Sequence, residues 1–177
     1  MKRKLSIVLM TVVSLLLLYT VGRFVQERID ALAGATQAAG SYTLKHFGSE
    51  ETMPVPIGDG KPAALIFFAS WCPYCNQDAA KIVKLHEVYE DRVHILGINP
   101  AYRDDEDEVR KYIDKHRIDY PILTDEVGGL YDNVYEKPGF PSVFVYDKDG
   151  RLVSKIVGAT TYERLDAAFR KGLEGAR

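Results

Sequence analysis

Apolar positions recur along this chain with two different spacings. Continuous apolar runs at Ala63 to Ser70, Val93 to Ile98 and Ser142 to Tyr146 predict short buried strands. Tyr42 to Phe47 alternates and predicts an edge strand; Thr52 to Ile57, carrying Pro54 and Pro56, predicts a second, irregular edge. Helical spacing of Ala79, Ile82, Val83, Leu85 and Val88 predicts a helix over 76–90, and a second is expected over 104–117. Asp104, Asp105 and Glu106 read there as a solvated start that favours the helix dipole, in preference to a metal or partner site. Tyr120 to Leu123 predicts a short strand, and 125–135 a helix loosened by Gly128-Gly129. Asp147-Lys-Asp-Gly150 predicts a hairpin turn into a strand over Leu152 to Val157, with glycine where the chain reverses. The same string lacks the glutamate that an EF-hand calcium loop requires. Thr161 opens a last helix with Leu165, Ala168 and Phe169 on one face. Strands alternating with helices and closing on a hairpin predict an α/β sandwich with a mixed sheet.

Ahead of these elements the pattern changes. Met1-Lys-Arg-Lys4 precedes an apolar run from Leu5 to Val21, and Gly22-Arg23 restores polarity. The run is short for a spanning helix and long for the core of a cleaved signal. A small-residue cleavage pattern, Ala31-Leu32-Ala33, lies well beyond it, behind Glu27, Arg28 and Asp30, so residues 1–25 are expected to be an uncleaved signal anchor. The basic N-terminus places that end in the cytoplasm and the remainder outside. Residues 26–41, rich in alanine and glycine, read as a linker, and 42–177 as one domain with its own core.

A formal charge of −2, without a basic patch interleaved with aromatics, argues against a nucleic-acid partner. The chain has two cysteines, and both fall in Trp71-Cys72-Pro73-Tyr74-Cys75, between a buried strand and a helix. A zinc site would need four ligands, and His46, His86, His94 and His116 are scattered without ligand spacing, so no metal is expected. A strand–CxxC–helix context instead suits a reversible disulfide. At the helix N-terminus, unpaired N–H groups and the dipole favour a thiolate at Cys72 and make it the exposed nucleophile. Cys75 follows a turn later, more buried, within reach of a mixed disulfide on Cys72. Pro73 fits the first turn, where its missing N–H costs nothing.

The WCxxC at a strand-to-helix turn and Gly139-Phe140-Pro141 before a strand hairpin together resemble the thioredoxin fold, over Ala63 to Arg177. With the N-terminal anchor, the helix–strand segment inserted between Asp104 and Tyr135 and the phrase Phe140-Pro-Ser-Val-Phe-Val-Tyr-Asp-Lys-Asp-Gly150, the chain is similar to membrane-anchored, extracytoplasmic thiol–disulfide oxidoreductases of the TlpA/ResA/CcmG type. That resemblance implies reduction of protein disulfides outside the cytoplasm, often on cysteines awaiting haem attachment, with electrons from a membrane thiol donor and no bound cofactor. It implies Cys72 as attacking thiolate, Cys75 as resolving thiol, and Pro141 as a proline after a cis bond facing the disulfide. Trp71, Pro73, Tyr74 and Phe140 would line the substrate surface.

The chain also departs from the family. Asp78 stands where relatives commonly carry glutamate, with Ala79-Ala80 in place of a following proline, and is expected to exchange a proton with Cys75. Ile66 stands where thioredoxin has a buried aspartate, Pro73-Tyr74 is the glutaredoxin pair, and Phe140 is bulkier than usual. Two other functions fit the same residues: a disulfide-forming oxidase on this scaffold, and a tethered chaperone or copper carrier using the thiols as soft ligands.

Overall fold

The computed structural model describes residues 10, 12–26 and 40–175. Contacts divide the chain into one unit at 1–34 and a second at 35–177. In the first, residues 12–26 are helical, and Leu15, Leu16, Leu17 and Leu18 are exposed. Among the described residues no helix is long and apolar enough to cross a membrane. Much of the expected anchor, and nearly all of the expected linker, lies outside the described residues.

The second unit is built on seven strands. They are β1 (Thr43–His46), β2 (Thr52–Pro54), β3 (Ala63–Phe67), β4 (His94–Asn99), β5 (Ile122–Thr124), β6 (Ser142–Tyr146) and β7 (Leu152–Val157). Their order across the sheet is β2-β1-β5-β4-β3-β6-β7. β3, β4 and β5 run parallel, β6 is antiparallel to both β3 and β7, and β1 is antiparallel to both β5 and β2, giving the expected mixed sheet. The helices are α1 (Pro73–Tyr89), α2 (Glu106–His116) and α3 (Tyr162–Glu174).

Strand periodicity puts alternate side chains of β3 into two separate cores. Ala64 and Ile66 join Ala79, Ile82 and Leu85 of α1, Val109 and Tyr112 of α2, and Leu165 and Phe169 of α3. Leu65 and Phe67 join Leu96, Ile98, Phe144, Leu130 and Tyr131 on the opposite face. A strand buried on both faces has to be apolar throughout, which is why β3 shows no alternation in the sequence.

Three expectations are corrected. Tyr42 to Phe47 is not an edge: β1 lies inside the sheet, joined to β5 through Lys45 opposite Thr124 and His46 opposite Leu123, and β2 forms the edge. So short a contact left no continuous apolar signature. Residues 125–135 do not form an α-helix; Gly129–Val134 is a π-helical turn after Gly128 at φ 68°, held by Asp125, which accepts from the amides of Leu130 and Tyr131. Asp104 does not belong to a solvated helix start. Asp105 caps α2 by accepting from the amides of Asp107 and Glu108, and Asp104 turns aside into a partly buried network.

Candidate active site

Helix α1 begins earlier than its apolar spacing suggests, because Pro73 occupies its first turn and Cys72 is its N-cap. Cys72 Sγ accepts the amide N–H of Cys75 at 3.2 Å, in the position where a serine or aspartate oxygen usually caps a helix. Its own amide donates to Ala69 O at 3.1 Å, closing the turn between β3 and α1. Both cysteines are free thiols. The expectation of an exposed Cys72 is corrected: it is 4% exposed and Cys75 2%, because both belong to the core formed beneath α1. Burial, and then the neighbouring Cys72 sulfur, push the Cys75 thiol well above the ordinary cysteine range. A thiol held this high needs a proton acceptor before it can act as a nucleophile.

β6 starts beside the end of β3, with Ser142 opposite Phe67, and this antiparallel register carries Phe140 and Pro141 to the end of the sheet where the cysteine turn lies. The Phe140–Pro141 bond is cis. Trp71 is 57% exposed, packs edge-on against Phe140 with ring centroids 5.8 Å apart, and donates its indole N–H to Arg103 O at 2.9 Å. It is therefore a surface side chain at the rim and not core bulk. Tyr74 is equally exposed, on the first turn of α1.

Asp78 is 1% exposed and so is no solvated surface carboxylate. It lies one turn beyond Cys75 on the buried side of α1. Oδ1 accepts from Lys81 Nζ at 2.6 Å, and Oδ2 accepts from the Thr160 amide at 3.1 Å. Lys81 also donates to Thr160 O at 2.6 Å, so the pair fastens α1 to the loop between β7 and α3.

Several residues around this site carried no recognisable signal. Asn76 donates to Cys72 O and Ser70 O and accepts from Lys115 and His116, while Tyr112 donates to Cys75 O at 3.1 Å. Asp104 and Asn99 meet beneath Ser70. These partners are far apart in sequence, and each looks in isolation like an ordinary helix or loop residue. Among the described residues no group of His, Cys, Asp and Glu is arranged to hold a metal ion.

Residues 36–155 match the family model described as the AhpC/TSA family. The chain belongs to the AhpC/TSA family. Within this thioredoxin-like family it is a thiol–disulfide oxidoreductase. It is 28% identical over 131 residues to the Thioredoxin-like protein YneN of Bacillus subtilis, covering 73% of this chain and 75% of that one. It is 27% identical over 169 residues to the Thiol-disulfide oxidoreductase ResA of Geobacillus thermodenitrificans, covering 92% and 94%. Its fold matches the crystal structure of a secreted Mycobacterium tuberculosis disulfide oxidoreductase homologous to E. coli DsbE, with a TM-score of 0.66 and 22% identity over 73% of this chain and 95% of that one. The thioredoxin-like fold expected from the cysteine turn is thereby established.

Proposed function

We propose that this protein reduces protein disulfides outside the cytoplasm through the Cys72–Cys75 couple. The observation that carries the reading is the cap of α1: Cys72 Sγ sits on the Cys75 amide, beside the Phe140–Pro141 turn, with Asp78 buried a turn below. In the first step the Cys72 thiolate attacks one sulfur of a substrate disulfide. That S–S bond breaks, a Cys72–substrate disulfide forms, and the other substrate sulfur leaves as a thiolate that takes up a proton. In the second step Cys75 gives up its proton and attacks Cys72 Sγ, releasing the second substrate thiol and leaving Cys72–Cys75 oxidised. Two electrons have then passed to the substrate. Asp78 is the acceptor for the Cys75 proton, a role supported by its burial on the same face of the helix.

Trp71, Tyr74 and Phe140 present an aromatic surface at the rim, and the backbone about Pro141 holds an extended substrate segment by strand-like hydrogen bonds, which suits many sequences. The apolar segment within 1–25 tethers the domain to the membrane, where confinement raises the effective concentration of a membrane thiol donor that re-reduces the pair. Cysteine pairs awaiting haem attachment are the substrate class implied by the sequence resemblance to the TlpA/ResA/CcmG type.

Replacing Cys75 by serine blocks the second step and traps substrates on Cys72. Expected adducts are exported proteins with paired cysteines, with the wild type mostly reduced in cells. Absence of adducts would overturn the reading, and a wild type held mostly as the disulfide by oxidising pathways would reverse the direction.

A further inference from the structure

The loop between β4 and α2 is fastened to the redox turn at several points. Asp104 supplies most of them. Its Oδ2 accepts from the Ser70 amide at 2.7 Å and from Asn99 Nδ2 at 2.8 Å, and its Oδ1 accepts from Ser70 Oγ at 2.5 Å and from the Asp105 amide at 3.0 Å. A carboxylate has about four acceptor positions, and all of them are engaged. Asn99, 1% exposed at the end of β4, also donates to Phe68 O at 3.3 Å, so Asp104 is braced against the central sheet. Ser70 is held on its remaining side, where its carbonyl accepts from Asn76 Nδ2. Next to it, Trp71 is tied to Arg103 O, and the Arg103 guanidinium lies 5.7 Å from the Phe140 ring centroid. One loop thus touches both walls of the site: the turn ahead of Cys72 and the segment ahead of Pro141.

We propose that Asp104 is a positioning residue for thiol–disulfide exchange: by fixing the backbone and hydroxyl of Ser70 it sets the angle at which Cys72 Sγ meets an incoming disulfide. The proposal rests on the exchange reaction described above and adds a residue that touches neither sulfur. Local bonds hold Cys72 itself, through its amide on Ala69 O and its Sγ on the Cys75 amide, and Asp104 adds a hold from across the fold on Ser70, two residues ahead. Pro73 fixes the chain after the sulfur, whereas Ser70 and Trp71, ahead of it, lie in a turn whose orientation comes from contacts across the fold. Asparagine at position 104 keeps one acceptor oxygen, loses the charge that strengthens each bond and sets an NH2 group against the Asp105 amide, so the clamp is weakened with little change in volume.

The test uses the full-length chain in a Cys75→Ser background, where reduced Cys72 attacks a dipyridyl disulfide and pyridinethione release reports that step alone. Rates are read across pH to the plateau, with thermal melts to confirm folding. Asp104→Asn is expected to lower the plateau rate about tenfold, since a small misplacement of a reacting atom is costly. Ser70→Ala, which removes only the hydroxyl contact, should give a smaller loss in the same direction. Asp107→Asn removes an exposed negative charge from the same end of α2 and should leave the plateau unchanged. A folded Asp104→Asn at the parental rate would overturn the proposal, as would an equal loss from Asp107→Asn, which would point to the electrostatic field alone. If Asp104→Asn does not fold, Ser70→Ala decides, and a parental rate there overturns the proposal. A parental protein that releases no pyridinethione would instead overturn the exchange reading itself.

Discussion

Changing Asp78 to asparagine tests the chemistry beneath the cysteines. The substitution keeps the side-chain shape and one oxygen for the Thr160 amide, which lies 3.1 Å from Oδ2, but removes the charge that faces Lys81 Nζ at 2.6 Å. Deleting one partner of a fully buried ion pair costs roughly 3–5 kcal/mol. The Lys81 side chain is 30% exposed and remains hydrated, so screening brings the expected loss down to about 1–2 kcal/mol, readable by chemical denaturation. The kinetic effect should be larger. Burial pushes the Cys75 thiol up, so its attack on a mixed disulfide depends on a proton acceptor, and removing a positioned base costs on the order of 10²-fold. With the two-cysteine protein and a dipyridyl disulfide, the first equivalent of pyridinethione reports Cys72 attack and the second reports Cys75. In Asp78→Asn the first phase should keep its rate, and the second should slow about a hundredfold and recover toward alkaline pH. A second phase with the wild-type rate and pH profile would refute proton transfer through Asp78 and leave it a structural anchor for the β7–α3 loop.

Cys72 should alkylate before Cys75 in the folded protein, and Cys72→Ser should abolish disulfide exchange while Cys75→Ser still forms a mixed disulfide; mass mapping of a brief iodoacetamide pulse checks the order. Trp71→Ala should raise KM for protein disulfides several-fold yet leave a small disulfide nearly unaffected, because the ring is 57% exposed at the rim; its stability cost should stay within about 1 kcal/mol, measured by a melt. Burial, and then Lys115, hold His116 below the ordinary histidine range, so below neutrality the unfolded chain binds a proton that the folded one resists. That stability is present above the unfolded histidine pKa and is lost as pH falls through the folded one. Melts of wild type and His116→Gln across pH 5 to 8 should show a smaller acid loss in the variant.

The sequence made β3, β4, β6 and the cysteine turn legible for one physical reason. Each lies in a contiguous stretch whose apolar pattern or spacing answers to its immediate surroundings, as with Ala63 to Phe67 buried on both faces. The place of β1 was not legible, because two residues of pairing to β5 decide it. Apolar spacing alone starts α1 three residues late, whereas Cys72 and Pro73 mark its cap and first turn by their chemistry. Around the site, the placing of Cys72 at the head of α1, with Cys75 and Asp78 on its following turns, could be read from their spacing. Their supports could not: Asp104 lies 34 residues from Ser70, and His116 lies 40 from Asn76. Asp104 looked like any acidic helix start, and only the register of β3 against β4 puts it beneath the redox turn.

The central claim is a reversible Cys72–Cys75 couple that donates electrons, and equilibration against thiol–disulfide buffers of known potential tests it most directly. A single two-electron transition near thioredoxin's, about −270 mV, is expected, absent in Cys72→Ser and in Cys75→Ser. A transition at about −120 mV would make the protein an oxidant, and failure of the two cysteines to join under any buffer would rule out the redox couple altogether.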